Sequence, residues 1–197
     1  MSFEESTVFE QKYIVPIWSQ MGEMCFNLAK KVIESKKKFE RIVALARGGW
    51  TWAKTFSDYT KIGNLSSLQL EYYKGVYETL EAPVITQPIP VDIKGESILL
   101  FDDVSDSGKT LVEAKKHLLG LGAKNVMAAT LFMKPWTVYT PEYYGEKTDA
   151  WIIFPHEIRE MIELLSGNWK KKEMKMAEIK KRLIKIGISK GEVEYFI

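Results

Sequence analysis

The hydrophobic and polar positions of the chain alternate between strand-like and helix-like spacing. Four stretches have the apolar runs or the alternation of strands: residues 42–46, 65–73, 98–101 and 126–133. Three stretches with apolar residues three or four positions apart predict helices: within 14–38, at about 50–59 and at about 108–120. Strands that alternate with helices are typical of an α/β fold, in which helices cover both faces of a parallel sheet.

Residues 74–97 break this pattern. They contain two glycines and three prolines with little periodicity. A segment of this length is too long for a simple connection in a compact domain. It is therefore either a mobile functional loop, such as a lid, or an excursion into further β-structure.

Composition narrows the function classes. The chain has 197 residues, a formal net charge of +2 and 46% hydrophobic residues, which fits a single domain with a sizeable core. The balanced charge gives no general attraction for nucleic acid or membranes, so neither is expected as a partner. The single cysteine and the lack of a membrane-length apolar run or a signal-peptide pattern predict a cytoplasmic protein.

The segment Asp102–Thr110, sequence DDVSDSGKT, follows a predicted strand and carries the most distinctive chemistry. Its Gly-Lys-Thr ending resembles a triphosphate-binding P-loop, but Asp103 stands where that motif requires a glycine, and its carboxylate would repel a polyphosphate. The hydroxyls and the glycine that follow, at the start of a helix, suit one phosphate. The two adjacent aspartates suit the hydroxyls of a ribose. Ordinary helix capping is the alternative interpretation.

Three stretches together resemble a known family. Ile98–Thr110 is similar to the phosphoribosyl-pyrophosphate (PRPP) motif of type I phosphoribosyltransferases, and Leu45–Gly49 is similar to their pyrophosphate loop. Phe132–Pro135 and Trp151–Pro155 resemble the base-binding region of bacterial xanthine-guanine phosphoribosyltransferases. The resemblance covers about residues 40–157. It implies one phosphoribosyltransferase domain with a core at about 38–135, a small hood from the N-terminal helix region and about 136–160, and a C-terminal helical tail at about 161–197.

The resemblance also implies roles for individual residues. PRPP would be bound by Asp102, Asp103, Val104, Ser105, Asp106, Ser107, Gly108, Lys109 and Thr110. Its pyrophosphate would be bound by Ala46, Arg47 and Gly48, here called the Arg47 loop. The purine would contact Lys134, Trp151 and Ile152. Mg²⁺ is the implied cofactor, held by Asp102 and Asp103, directly or through water.

The implied reaction transfers the 5-phosphoribosyl group of PRPP to guanine, hypoxanthine or xanthine and releases pyrophosphate. Asp106 would be the general acid/base at purine N7, and Lys134 would donate to the 6-oxo group, although spacing alone fits a surface lysine equally well. Trp151 could instead be a core aromatic residue. Adenine phosphoribosyltransferase and a non-catalytic PRPP-sensing regulator are the alternatives. The family resemblance suggests a homodimer or a higher homo-oligomer, with Trp50–Trp52 as the first expected contact.

Overall fold

The computed structural model describes residues 3–8, 10–71 and 83–197, so Tyr72, Tyr73 and residues 74–82 of the predicted loop lie outside the described residues. The strands are β1 (Glu5–Val8), β2 (Gln11–Ile14), β3 (Arg41–Ala46), β4 (Asn64–Glu71), β5 (Val84–Gln87), β6 (Ser97–Ser105), β7 (Asn125–Met133), β8 (Tyr143–Lys147) and β9 (Trp151–Ile152). The helices are α1 (Trp18–Glu34), α2 (Gly48–Thr60), α3 (Lys109–Gly120), α4 (Ile158–Lys170), α5 (Met176–Ile186) and α6 (Lys190–Phe196).

The chain divides into two compact units. One consists of Gly22–Thr148, and the other joins Met1–Met21 to Asp149–Ile197. The predicted division into core, hood and tail stays a prediction.

The larger unit contains a six-stranded sheet in the order β5-β4-β3-β6-β7-β8. All of its strand pairs are parallel except β4 with β5, which are antiparallel. The predicted α/β fold is therefore confirmed, with one antiparallel strand at an edge. Residues 84–87 of the irregular segment form that edge strand, so this part of the segment is an excursion into β-structure.

Both faces of the sheet are covered because its central strands are apolar on both sides. Alternate residues such as Leu45 and Leu100 form a buried cluster with Leu118 of α3. On the opposite face, the ring of Phe56 of α2 lies 4.7 Å from the ring of Phe101, centroid to centroid. Two-residue alternation therefore sends successive side chains into two separate cores, one on each side of the sheet.

The middle of the sheet holds a topological switch point. Strands β3 and β6 are neighbours, but the chain leaves β3 through α2 towards β4 and leaves β6 through α3 towards β7, on the other side. In open parallel sheets, a crevice forms at such a point beyond the carboxyl ends of the strands, and ligands bind there. The two polar motifs of the sequence both lie at this point.

In the part of the smaller unit that the structure describes, the sheet of β1, β2 and β9 is accompanied by the helices α4, α5 and α6. β1 pairs antiparallel with β2, and β2 pairs parallel with β9. Its core includes four fully buried residues of the helices: Ile162, Ile179, Leu183 and Val193. Among the described residues, no helix is both long and apolar enough to cross a membrane.

Candidate functional site

The start of α2 packs directly against the acidic end of β6. A Cβ atom added to Gly48 would overlap the carboxylate of Asp103, 2.7 Å from its Cγ. A Cβ atom on Gly49 would lie 2.8 Å from the Cα atom of Asp102. Only glycine, which has no side chain, permits so close an approach. The structure therefore brings the Arg47 loop and the acidic pair together.

Arg47 itself is exposed, next to Gly48 in this contact. It immediately precedes α2, and the peptide bond between Ala46 and Arg47 is cis. The N-terminus of α2, with backbone N–H groups that lack intrahelical acceptors, begins one residue later. A cationic side chain next to a helix N-terminus is a favourable environment for an anion.

The acidic pair lies inside β6, although the sequence placed it after the strand. The backbone of Asp102 pairs with Thr130 of β7, which extends the strand to Ser105. Asp103 is only 5% exposed. Burial raises the pKa of Asp102 well above its usual range, the negative charge of Asp103 raises it further, and the N–H groups of Asp103 and Gly49 only partly oppose this shift. Two crowded carboxylates of this kind favour a ligand that supplies positive charge or hydrogen-bond donors.

The residues that follow enclose a small cavity of about 70 Å³. Its lining is formed mainly by Asp102, Val104, Ser105, Asp106, Ser107, Gly108 and Thr110. Gly108 has a φ of +77° and directly precedes α3, so the helix begins without a capping side chain at that position. The size and the helix N-terminus suit one small anion. Lys109, also predicted to bind PRPP, is exposed but is not among these lining residues.

The loop after β7 is tied to the cavity loop by several hydrogen bonds. The N–H of Lys134 donates to the carbonyl of Ser105 (2.9 Å), and the N–H of Val138 donates to that of Ser107 (3.0 Å). The buried hydroxyl of Ser105 lies 2.8 Å from that of Thr137. The backbones of Ser105 and Ser107 and the side chain of Ser105 therefore join the two loops, whereas Ser107 is exposed.

The loops after β6 and β7 together place Asp106 and Lys134 around one aromatic side chain, that of Trp136. Lys134 is 6% exposed, unlike an ordinary surface lysine, and its Nζ lies 5.6 Å from the ring centroid of Trp136. The indole N–H of Trp136 donates to Oδ1 of Asp106 at 2.8 Å. Sequence reasoning missed Trp136; the signal was an aromatic residue two positions after the lysine, within a short span between two apolar segments.

The other two predicted purine contacts, Trp151 and Ile152, lie in the smaller unit. They form β9, in register with Tyr13 and Ile14 of β2. Trp151 is 45% exposed and Ile152 is buried, so Trp151 is not the core aromatic residue that its apolar neighbours allowed. The role of both residues in purine binding stays a prediction.

Comparison with known proteins shows the family of the chain. The model of the phosphoribosyl transferase domain family matches residues 17–160. The chain belongs to this family. The resemblance indicated by the sequence motifs is thus confirmed.

Several phosphoribosyltransferases are similar to this chain over most of their length. A purine phosphoribosyltransferase structure from Pyrococcus horikoshii is 38% identical, with a TM-score of 0.66 over 73% of this chain and 92% of that one. The xanthine-guanine phosphoribosyltransferase of Gluconobacter oxydans is 28% identical over 145 residues, which are 73% of this chain and 83% of the relative. The xanthine-guanine-hypoxanthine enzyme of Helicobacter pylori, 23% identical with a TM-score of 0.67 over 78% of this chain and 99% of that one, shares the fold.

Proposed function

We propose that this protein transfers the 5-phosphoribosyl group of PRPP to a 6-oxopurine base and releases pyrophosphate. The observation that supports this proposal most strongly is the switch point between β3 and β6. The Arg47 loop, the acidic pair and the small anion-sized cavity meet there. The Gluconobacter relative is a xanthine-guanine phosphoribosyltransferase, and both of these bases are 6-oxopurines, which supports this class of base. The Pyrococcus relative is a purine phosphoribosyltransferase and supports a purine base more generally.

Each part of PRPP has a matching group at this point. The cavity in front of α3 takes the 5-phosphate, whose charge is favoured by the helix N-terminus. Asp102 and Asp103 accept hydrogen bonds from the ribose hydroxyls. Arg47 and the N-terminus of α2 face the pyrophosphate, and a guanidinium fork matches its oxygens.

The residues present fit a Mg²⁺ ion. Asp102 and Asp103 are adjacent carboxylates, and burial together with the charge of Asp103 raises the pKa of Asp102, so a hard cation would favour the ionised pair. When bound, Mg²⁺ supplies charge neutralisation for the pyrophosphate. The two aspartates would hold it, directly or through its water ligands.

The chemical step requires a proton acceptor for the base. As N9 of the purine forms its bond to C1 of the ribose, the bond from C1 to the pyrophosphate oxygen breaks and its electron pair leaves with pyrophosphate. The proton on N7 of the purine passes to the carboxylate of Asp106, which is exposed and faces the cavity. Lys134 donates to the 6-oxo oxygen, which is an acceptor, whereas the amino group of adenine is a donor.

The test is a set of incubations with PRPP, Mg²⁺ and one base at a time: guanine, hypoxanthine, xanthine or adenine. We expect nucleoside monophosphate and pyrophosphate with at least one 6-oxopurine and none with adenine. PRPP binding without product from any base would favour the regulator interpretation. Product from adenine alone would contradict the roles of Asp106 and Lys134.

The Asp106→Asn variant tests the proton acceptor. An amide cannot accept the proton, so we expect kcat to fall by about 10²–10⁴-fold while the dissociation constant of PRPP changes little. Asp58→Asn, at an exposed aspartate of α2, is the matched control and should leave both values unchanged. An equal loss of turnover and PRPP affinity in Asp106→Asn would indicate a binding role instead.

We also propose a cytoplasmic homodimer or higher homo-oligomer. Trp50 of α2 is about half exposed, whereas Trp52 is buried, so Trp50 is the residue of this pair that a second copy would cover. Sedimentation of the protein and of a Trp50→Glu variant checks this proposal. A wild-type monomer at micromolar concentration would contradict it.

A further inference from the structure

The side chain of Trp136 contacts the two residues to which the proposed function assigns base recognition. Its Nε1–H donates to Oδ1 of Asp106 at 2.8 Å, and its ring centroid lies 5.6 Å from Nζ of Lys134. All three residues belong to the larger unit. One indole therefore links the proton acceptor and the cationic donor of the proposed reaction.

The fold does not need this side chain to hold the loop in place. The loop is attached to its neighbour through the N–H groups of Lys134 and Val138 and through the hydroxyl of Thr137. Trp136 itself is 55% exposed, so it contributes little to the core. The loop after β7 therefore positions the indole of Trp136, and the indole is not what holds the loop in place.

The hydrogen bond constrains Asp106 in a way that matters for chemistry. Among the residues that the structure describes, Trp136 is the only hydrogen-bond donor to the Asp106 side chain. An indole N–H can only donate, so Asp106 is always the acceptor in this hydrogen bond. The bond occupies Oδ1 and leaves Oδ2 available for a proton from a substrate.

We propose that Trp136 is a positioning residue of the phosphoribosyl transfer, a proposal that rests on the function proposed above. Its N–H holds the Asp106 carboxylate by one oxygen, so that the other oxygen can take the proton of purine N7. Its ring covers one side of the Lys134 ammonium group, and a cation held over an aromatic face is restricted in its movement. The loop after β7 would thereby orient both groups before the base arrives.

Trp136→Phe separates the N–H from the ring, because phenylalanine retains the aromatic face and lacks the donor. We expect kcat with the accepted base to fall about tenfold, the usual effect of losing a hydrogen bond to a charged group. The KM for PRPP should stay within about twofold, since the phosphate-binding groups are untouched. Trp18→Phe, at a tryptophan of α1 that is 56% exposed, is the matched control and should behave as wild type.

An activity-independent measurement tests the hydrogen bond itself. The chain has six tryptophans, so a ¹H–¹⁵N spectrum of the indole groups should contain six signals, and the one lost in Trp136→Phe identifies Trp136. We expect Asp106→Asn to shift that signal upfield, because an amide oxygen is a weaker acceptor than a carboxylate. An unchanged position would overturn the proposal.

The kinetic outcomes separate this proposal from the proposed function. If the wild-type protein makes no nucleotide from any base, the proposed function fails and the role of Trp136 in it fails as well. If the wild type is active and Trp136→Phe keeps its kcat, only the role of Trp136 is overturned. A raised KM for the base with unchanged kcat, in Trp136→Phe or more strongly in Trp136→Ala, would assign the ring to stacking on the base and would also overturn the positioning role.

Discussion

Replacement of Gly49 by alanine tests the contact that places α2 against the acidic strand. The added Cβ atom would lie 2.8 Å from both the Cα atom of Asp102 and the carbonyl oxygen of Phe101. Ordinary contacts of a Cβ atom begin at 3.4 Å, so helix and strand must separate by about 0.6 Å. Both obstructing atoms belong to the backbone of β6, and a side-chain rotation cannot relieve the overlap.

Neither element can move without breaking other contacts. β6 is hydrogen-bonded to β3 on one side and to β7 on the other, and α2 is fixed by the packing of Phe56 on Phe101. Overpacking of this kind costs about 1–3 kcal/mol. Alanine in place of glycine in a helix returns about 0.5–1 kcal/mol. The net loss in the free energy of unfolding should be at most about 2.5 kcal/mol and centred on about 1 kcal/mol, which lowers Tm by about 2–4 °C in a chain of this length.

Circular dichroism during thermal and urea denaturation measures this loss. Gly22→Ala, within α1, is the matched control because its Cβ atom would meet nothing within 4 Å. It should raise the stability by about 0.5–1 kcal/mol. The Gly49→Ala variant should also lose transferase activity well below its Tm, because the backbone of Asp102 is displaced. The reasoning is refuted if Gly49→Ala is as stable as wild type while Gly22→Ala gains stability.

Two further predictions concern ionic contacts in the larger unit. The pKa of Glu142 lies below its ordinary value. Burial alone would raise this pKa, but hydrogen bonds and the charge of Lys115 outweigh burial; the first of these hydrogen bonds comes from the N–H of Ala128, which donates to Oε2 of Glu142 at 2.6 Å. Glu142→Gln should therefore reduce the free energy of unfolding at neutral pH, and the difference from wild type in urea denaturation should vanish as the pH falls below about 4.5; a difference that persists or grows in acid would contradict this. The carboxylate of Glu96 receives two hydrogen bonds, of 2.7 and 3.0 Å, from the largely buried Arg41. Glu96→Gln should therefore cost about 1.5–3 kcal/mol by the same assay. Glu163→Gln, in an exposed ion pair, is its control and should change stability by less than about 0.5 kcal/mol, and equal losses in the two variants would show that burial does not strengthen the Glu96 contact.

Local sequence predicted the central elements well for a physical reason. The strands at 42–46, 98–101 and 126–133 are buried on both faces, so they appear as unbroken apolar runs. Helix α3 was recognisable by the spacing of its apolar residues and by the glycines at its end. The end of β6 was misplaced because three of its last four residues, Asp102, Asp103 and Ser105, are polar, and it is the pairing of this segment with β7 that keeps it in strand conformation.

Short β-elements at the ends of the chain escaped prediction for a related reason. β2 and β9 are four and two residues long, and they pair through Tyr13 with Trp151 and Ile14 with Ile152. Segments this short carry too few residues for a periodic signal, and their strand conformation depends on a partner far away in the sequence. Trp151 is 45% exposed in this pairing, although its sequence neighbours are apolar.

The sequence alone determined the α/β fold class and the residue types of the PRPP motif, because apolar periodicity and a contiguous motif are both local properties. The tertiary structure decided which of these residues meet. It placed Gly48 against Asp103, buried Lys134 and set the indole of Trp136 on Asp106, thirty residues earlier in the chain. Such contacts arise when the strands β3, β6 and β7 align their carboxyl ends, and only the assembled sheet fixes the distances between the loops that follow them.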